Sequence, residues 1–167
     1  MRFYKTTMGD LNFLMAHIVQ KASKRSIKWG SSTYYLQFPE MHFFPGFYAE
    51  SWHGSDFHAY LVALAKENDS YFLPALPNYV SLNGTICLGK RFVSRTTPEH
   101  VFNGIASLFW TTAFTIDSLP GAYTKFSWGL QDGTIVKYFD NCRSPICDYD
   151  EITYEEVERL CNGNNPK

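Results

Sequence analysis

The residues able to do chemistry in this chain centre on Cys87. It lies in the run Leu-Pro-Ala-Leu-Pro-Asn-Tyr-Val-Ser-Leu-Asn-Gly-Thr-Ile-Cys-Leu-Gly-Lys-Arg-Phe, residues 73–92. Pro74 and Pro77 remove backbone donors and fix φ, which predicts neither helix nor central strand. Asn83-Gly84 signals a tight turn, and Thr85-Ile86-Cys87-Leu88 behind it is a short β-prone run. A thiol on a pinned backbone, with the amides of Asn78 and Asn83 near in sequence, suits a nucleophile beside a hydrogen-bond donor. The plain alternative is a small buried cysteine and an Asx turn. No acidic residue lies between Pro74 and Pro98, whereas Lys90, Arg91 and Arg95 do. Those cations favour thiolate if their side chains lie near the sulfur.

Other groups suggest other chemistries. His53 and His58 with Asp56 between them would activate Cys87 in a Cys-His-Asp thiol hydrolase. No protease signature surrounds Cys87, and a polar loop and a strand end account for the three residues. His100 reads as a solvated residue of a helix's first turn. Cys142 and Cys147 have only Cys161 nearby, and zinc wants closer pairs or histidines, so no metal is assigned. Lys21, Lys24, Arg25 and Lys28 form a basic run. It reads as a solvated helix end or as a docking patch for an acidic partner.

Pro77-Asn78 followed by Gly84-Thr85-Ile86-Cys87-Leu88 resembles the active-site signature of ubiquitin-conjugating enzymes. With Leu76 before the Pro-Asn pair and Gly89 after Cys87-Leu88, the stretch is closest to the prokaryotic conjugating-enzyme-like family D, which includes the B component of PRTRC systems. Thr97-Pro98 resembles the Ser-Pro that opens the following helix. The resemblance covers about residues 57–115. Two features depart from it: the step from Asn78 to Cys87 is one residue longer, and Arg95 or Thr96 stands where a tryptophan is usual. The resemblance implies a ubiquitin-conjugating-enzyme-like α+β fold, an antiparallel β-meander with flanking helices and an irregular cysteine-bearing loop. It implies that Cys87 carries the C-terminus of a ubiquitin-like protein as a thioester. The activating enzyme would supply that acyl group, Asn78 would serve as the amide donor, and no cofactor would be needed. A catalytically inactive binding module of the same fold is the alternative, motivated by the departures.

The elements must position that loop. The 167 residues fit one domain, 1–167, able to bury a core. Aromatics at 17% suggest sheet-rich packing. A net charge of −1 argues against nucleic acid, and no apolar run reaches membrane-span length. The N-terminus has no signal-peptide core, so a cytoplasmic location is expected. Leu11, Leu14, Met15, Ile18 and Ala22 have helical spacing behind Asp10 as N-cap, which predicts a helix over 10–22. A meander is expected over 33–65, with a turn at Pro45-Gly46 and a polar turn over 66–70. A helix over 98–114 should pack its Val101, Ile105 and Leu108 row on the sheet, with Gly104 marking close packing. Asp132-Gly133 predicts a hairpin over 123–139, and Thr153 with Glu156 caps a short helix over 153–161.

Overall fold

Paired turn residues divide the first half of the chain into strands. Gly9-Asp10 closes β1 (Arg2–Met8) onto β2 (Leu11–Gln20), with Gly9 at φ 63°. Gly30-Ser31 joins β3 (Ser23–Trp29) to β4 (Ser32–Phe38). β5 (Glu40–Tyr48) is followed by a 3-10 turn at Ala49–Ser51. Asn68-Asp69, at φ 47° and 64°, joins β6 (Tyr60–Glu67) to β7 (Ser70–Pro74). Gly, Asn and Asp accept the positive φ that two-residue hairpin turns require. The second half carries α1 (Pro98–Thr111), α2 (Ala122–Asp132), β8 (Lys137–Cys142), β9 (Asp150–Ile152) and α3 (Tyr154–Gly163). These elements come from a computed structural model that describes residues 1–76, 78–88, 93–111 and 119–163, with Tyr123 as backbone only.

The architecture is α+β. Seven strands form one antiparallel sheet in the order β8-β7-β6-β5-β2-β1-β9, and β3 with β4 forms a separate ribbon. α1 lies across β5, β6 and β2. It buries Val101, Phe102, Ile105 and Phe109 completely, while Leu108 is half-buried. Gly104 does sit at a close approach: a Cβ there would lie 2.8 Å from Val93 Cγ1. Thr97 Oγ1 accepts the His100 N–H, one residue on from the Thr96 to Glu99 spacing of a capping box, and Thr153 Oγ1 accepts the Glu156 N–H, as the capping pattern there predicted. The expected helix end near Phe114, with Thr112 and Ala113, lies outside the described residues, as does the tail from residue 164.

Several expectations are corrected. Residues 11–20 are β2, not a helix, and Asp10 is a turn residue rather than an N-cap. Phe13, Leu14, Met15 and Ala16 are all buried, because β2 lies between β1 and β5 with both faces covered. Such a strand reads as a continuous apolar run and mimics helical spacing. The meander starts at Glu40, since Pro39 ends β4, whose strand partner is β3. Residues 122–132 are α2, and Gly133 (φ 68°) is its left-handed C-cap rather than a hairpin turn. Pro74 does belong to a strand between two others, but as its last residue, where the pairing with β8 loses its register.

Pro45-Gly46 does not turn the chain. β5 runs straight through it, and the ladder to β2 lapses opposite Pro45 and resumes in the same register at Phe43 and Ile18. Proline has no N–H to donate there. Gly46 lets β2 approach: a Cβ would lie 2.6 Å from Phe13 Cζ and 2.9 Å from the Leu14 carbonyl oxygen. Gly46→Ala should therefore destabilise the fold by about 1–3 kcal/mol through overpacking. Equilibrium denaturant unfolding measures this, and an unchanged midpoint would contradict the packing described.

One polar cluster lies in the sheet. His17 Nε2 is 2.7 Å from His42 Nδ1, His42 Nε2 is 2.9 Å from Glu40 Oε1, and the Tyr71 hydroxyl is 3.3 Å from His42 Nδ1. His17 also stacks on Phe44, the rings 4.7 Å apart. Burial first, then His42, Arg2, Lys66 and the N-terminus, lower the His17 pKa from 6.5 to about 4. Between those values the unfolded chain binds the proton that the folded chain does not. Stability contributed by neutral His17 is present above pH 6.5 and lost as pH falls toward about 4. Replacing His17 with Gln should flatten the fall in unfolding midpoint across that window. An equally steep fall in wild type and variant would assign the dependence to carboxylates elsewhere.

Candidate thiol site

β6 has two edges, and one of them is divided between two partners. Ala65, Lys66 and Glu67 pair with β7. At Leu61–Ala63 the same edge receives residues 84–86: Ala63 N–H donates to the Gly84 oxygen (2.9 Å), Ile86 N–H donates to the Leu61 oxygen (2.9 Å), and Val62 bridges Thr85. Gly84 is needed for that approach. Its φ is +88°, and a Cβ would lie 2.7 Å from Leu64 Cδ2 and 3.0 Å from the Ala63 oxygen. Asn83 shapes the turn before it. Its Oδ1 accepts from the Ser81 hydroxyl, from the Thr85 N–H (3.1 Å) and from the Thr85 hydroxyl (2.7 Å). Asn83 is therefore occupied by the turn and exposed, and is no partner for the thiol.

The segment then folds back on itself as a short ribbon. Val80 N–H donates to the Thr85 oxygen (2.9 Å), Tyr79 bridges Ile86, and Cys87 N–H donates to the Asn78 oxygen (3.2 Å). That register sets Asn78 directly across from Cys87. Residues so opposed issue side chains on one face, with Cβ atoms about 5 Å apart. Ile86 and Leu88 are buried and Cys87 between them is exposed, the alternation of a strand with one covered face. Asn78 is 3% exposed, and its side-chain amide has no hydrogen-bond partner among the described residues. A buried amide left without a partner costs about 1–3 kcal/mol.

The chain matches no family model, no curated protein and no solved structure.

The other candidates are not brought to Cys87. Arg95 Nη1 donates to the carbonyl oxygens of Trp52 and Gly54, both at 2.7 Å, and of Ser51 at 3.3 Å. Its guanidinium also lies over the Phe57 ring, so its charge is committed to the 51–57 loop rather than to the sulfur. Lys90 and Arg91, with Pro77 and Gly89, lie outside the described residues. His53, Asp56, His58 and His100 are exposed, and no hydrogen bond joins any of them to Cys87 among the described residues. The Cys-His pair of a thiol hydrolase is thus not formed there. Sequence reading missed the clamp by Arg95 and the docking of residues 84–86 on β6. Only Gly84 after Asn83 hinted at the latter.

The four thiols differ in environment. Cys87 and Cys147 are exposed, Cys142 is half-buried and Cys161 is fully buried. Burial, then Glu158 and Glu50, push the Cys161 thiol up to about 12. Burial also raises the Cys142 thiol. A maleimide pulse on native protein, read by peptide mass, should label Cys87 and Cys147 first and Cys161 last. Protection of Cys87 comparable to that of Cys161 would contradict the exposed thiol.

Proposed function

We propose that this chain carries an acyl group in ubiquitin-like protein conjugation. The reading is supported by one observation above the rest: the Asn78 amide and the Cys87 thiol stand as a cross-strand pair on a ribbon anchored to the sheet. The motif resemblance also supports the reading, and the antiparallel sheet with a capped helix after the cysteine segment is compatible with it at the level of an α+β architecture. In this reading the Cys87 sulfur attacks the thioester carbonyl that joins a ubiquitin-like protein to its activating enzyme. The new C–S bond forms, the old one breaks, and the activating enzyme recovers its thiol. An amine then attacks the Cys87 thioester, an amide forms, and Cys87 is released as the thiol. The chain needs no cofactor for either exchange, because the activating enzyme has spent the ATP.

The Asn78 amide N–H is the donor in this chain for the oxyanion of the second step. One well-placed donor of this kind is worth about 10²–10³ in rate. Incubation with a ubiquitin-like protein, its activating enzyme and ATP should give an adduct on Cys87 that thiols cleave. Cys87→Ser should give an ester or nothing, and Cys142, Cys147 and Cys161 should each be replaceable by Ser. Asn78→Ala should slow transfer to amine while leaving loading intact, since a folding defect does not select one step. Loading that survives Cys87→Ala would sink the enzymatic reading. Partner binding without any adduct would assign the chain to the inactive, binding-only class.

A further inference from the structure

The basic run at residues 21–28 is not a helix end. Lys24, Arg25 and Lys28 lie on β3 and are exposed, as is Lys21 just before it. No acidic residue occurs from Lys21 to Pro39. None of the four cations forms a salt bridge among the described residues. β3 pairs with β4 along its whole length, and its other edge has no strand partner among the described residues. Along it runs a cleft of about 490 Å³ lined by Ser23, Lys24, Arg25, Ser26 and Trp110. Trp110 projects from α1 and is fixed by the rings of Phe38, Phe43 and Phe109. The Arg25 guanidinium lies 4.6 Å from the centre of its ring. Stacked there, a guanidinium still presents its in-plane N–H groups to a carboxylate.

We propose that β3 is a docking edge for an extended acidic segment of a partner protein, added as a strand. Lys24 and Lys28 lie on one face of β3 and Arg25 on the other, because strand side chains alternate. Acidic residues on either face of an added strand therefore meet a cation. Lysines on an edge strand also discourage pairing with like-charged copies. That role asks for neither the cleft nor an arginine seated on a fixed tryptophan. The edge, without a strand partner among the described residues, supplies N–H and C=O groups to a peptide backbone, which a nucleic acid cannot use as a ladder. The site is separate from Cys87 and does not depend on the thioester reading.

The probe is a fluorescent peptide of alternating Glu and Val, long enough to pair with all of β3, titrated by anisotropy at physiological salt. It should bind saturably, and Cys87→Ser should bind it equally. The combined Lys24→Glu, Arg25→Glu and Lys28→Glu variant, checked for native circular dichroism, should lose at least about tenfold in affinity. Arg25→Gln alone should lose less and serves as the milder variant. The same peptide N-methylated at alternate residues should fail to bind in one of the two possible phases. The proposal is overturned by absent binding to wild type, by full binding of both N-methylated peptides, or by a single-stranded oligonucleotide that binds tighter than the peptide.

Discussion

The thiol's position depends on how the edge of β6 is shared. β7 pairs with that edge only over residues 65–67, then leaves it in the direction of Pro74. Backbone groups of Leu61 and Ala63 next along the edge still require partners. Residues 84–86 supply them, and they reach the edge because Gly84 has no side chain to strike Leu64. Cys87 is the first residue past those pairs. Its exposure follows from the alternation that buries Ile86 and Leu88 on either side. The neighbouring bond from Cys87 N–H to the Asn78 oxygen then fixes which residue stands opposite the thiol.

Where local chemistry had one solution, the sequence could be read directly. Asn68-Asp69, Thr97 before Pro98, and Thr153 before Glu156 each announced a turn or a cap that forms. Where two solutions share a signal, tertiary context decided. Asp132-Gly133 satisfies a hairpin turn and a helix C-cap alike. Gly129 tips the balance, because the Thr134 carbonyl oxygen would sit 2.4 Å from a Cβ there, and the Thr134 N–H returns to the Gly129 oxygen at 3.0 Å. The apolar run of β2 likewise carried no period that separates a doubly covered strand from a helix. At the candidate site the thiol and the amide were legible as residues, but their register was not. It is set by hydrogen bonds between residues 78–80 and 85–87 that no spacing rule foretells.

The double burial of β2 has a physical source on each face. α1 covers one with Phe102, Ile105 and Phe109. On the other, Ile146 and Tyr149 pack on Phe13, Met15 and Phe44. The second face is the less complete, and the His17, His42 and Glu40 chain lies where that cover thins. His42 is held on both ring nitrogens, which is how a histidine remains buried in a sheet without an unpaired polar atom. The His17 ring stacks on Phe44 at the level where the ladder between β2 and β5 lapses.

From Val93 onward the described chain after Cys87 is also anchored. Val93 packs against the space left by Gly104, so α1 cannot slide along its axis without striking Val93 Cγ1. Arg95 binds three carbonyl oxygens of the loop that follows β5, which ties the approach to α1 to the end of a central strand. The ribbon upstream is tied to β6, the neighbour of that strand. Two anchors on adjacent strands thus bracket one exposed thiol. Positioning of this kind is what lets a side chain react without being buried, because the entropy of orientation is lost on folding rather than at each encounter. Across from Cys87, the Asn78 side chain is buried and has no hydrogen-bond partner among the described residues, which costs free energy in a closed fold.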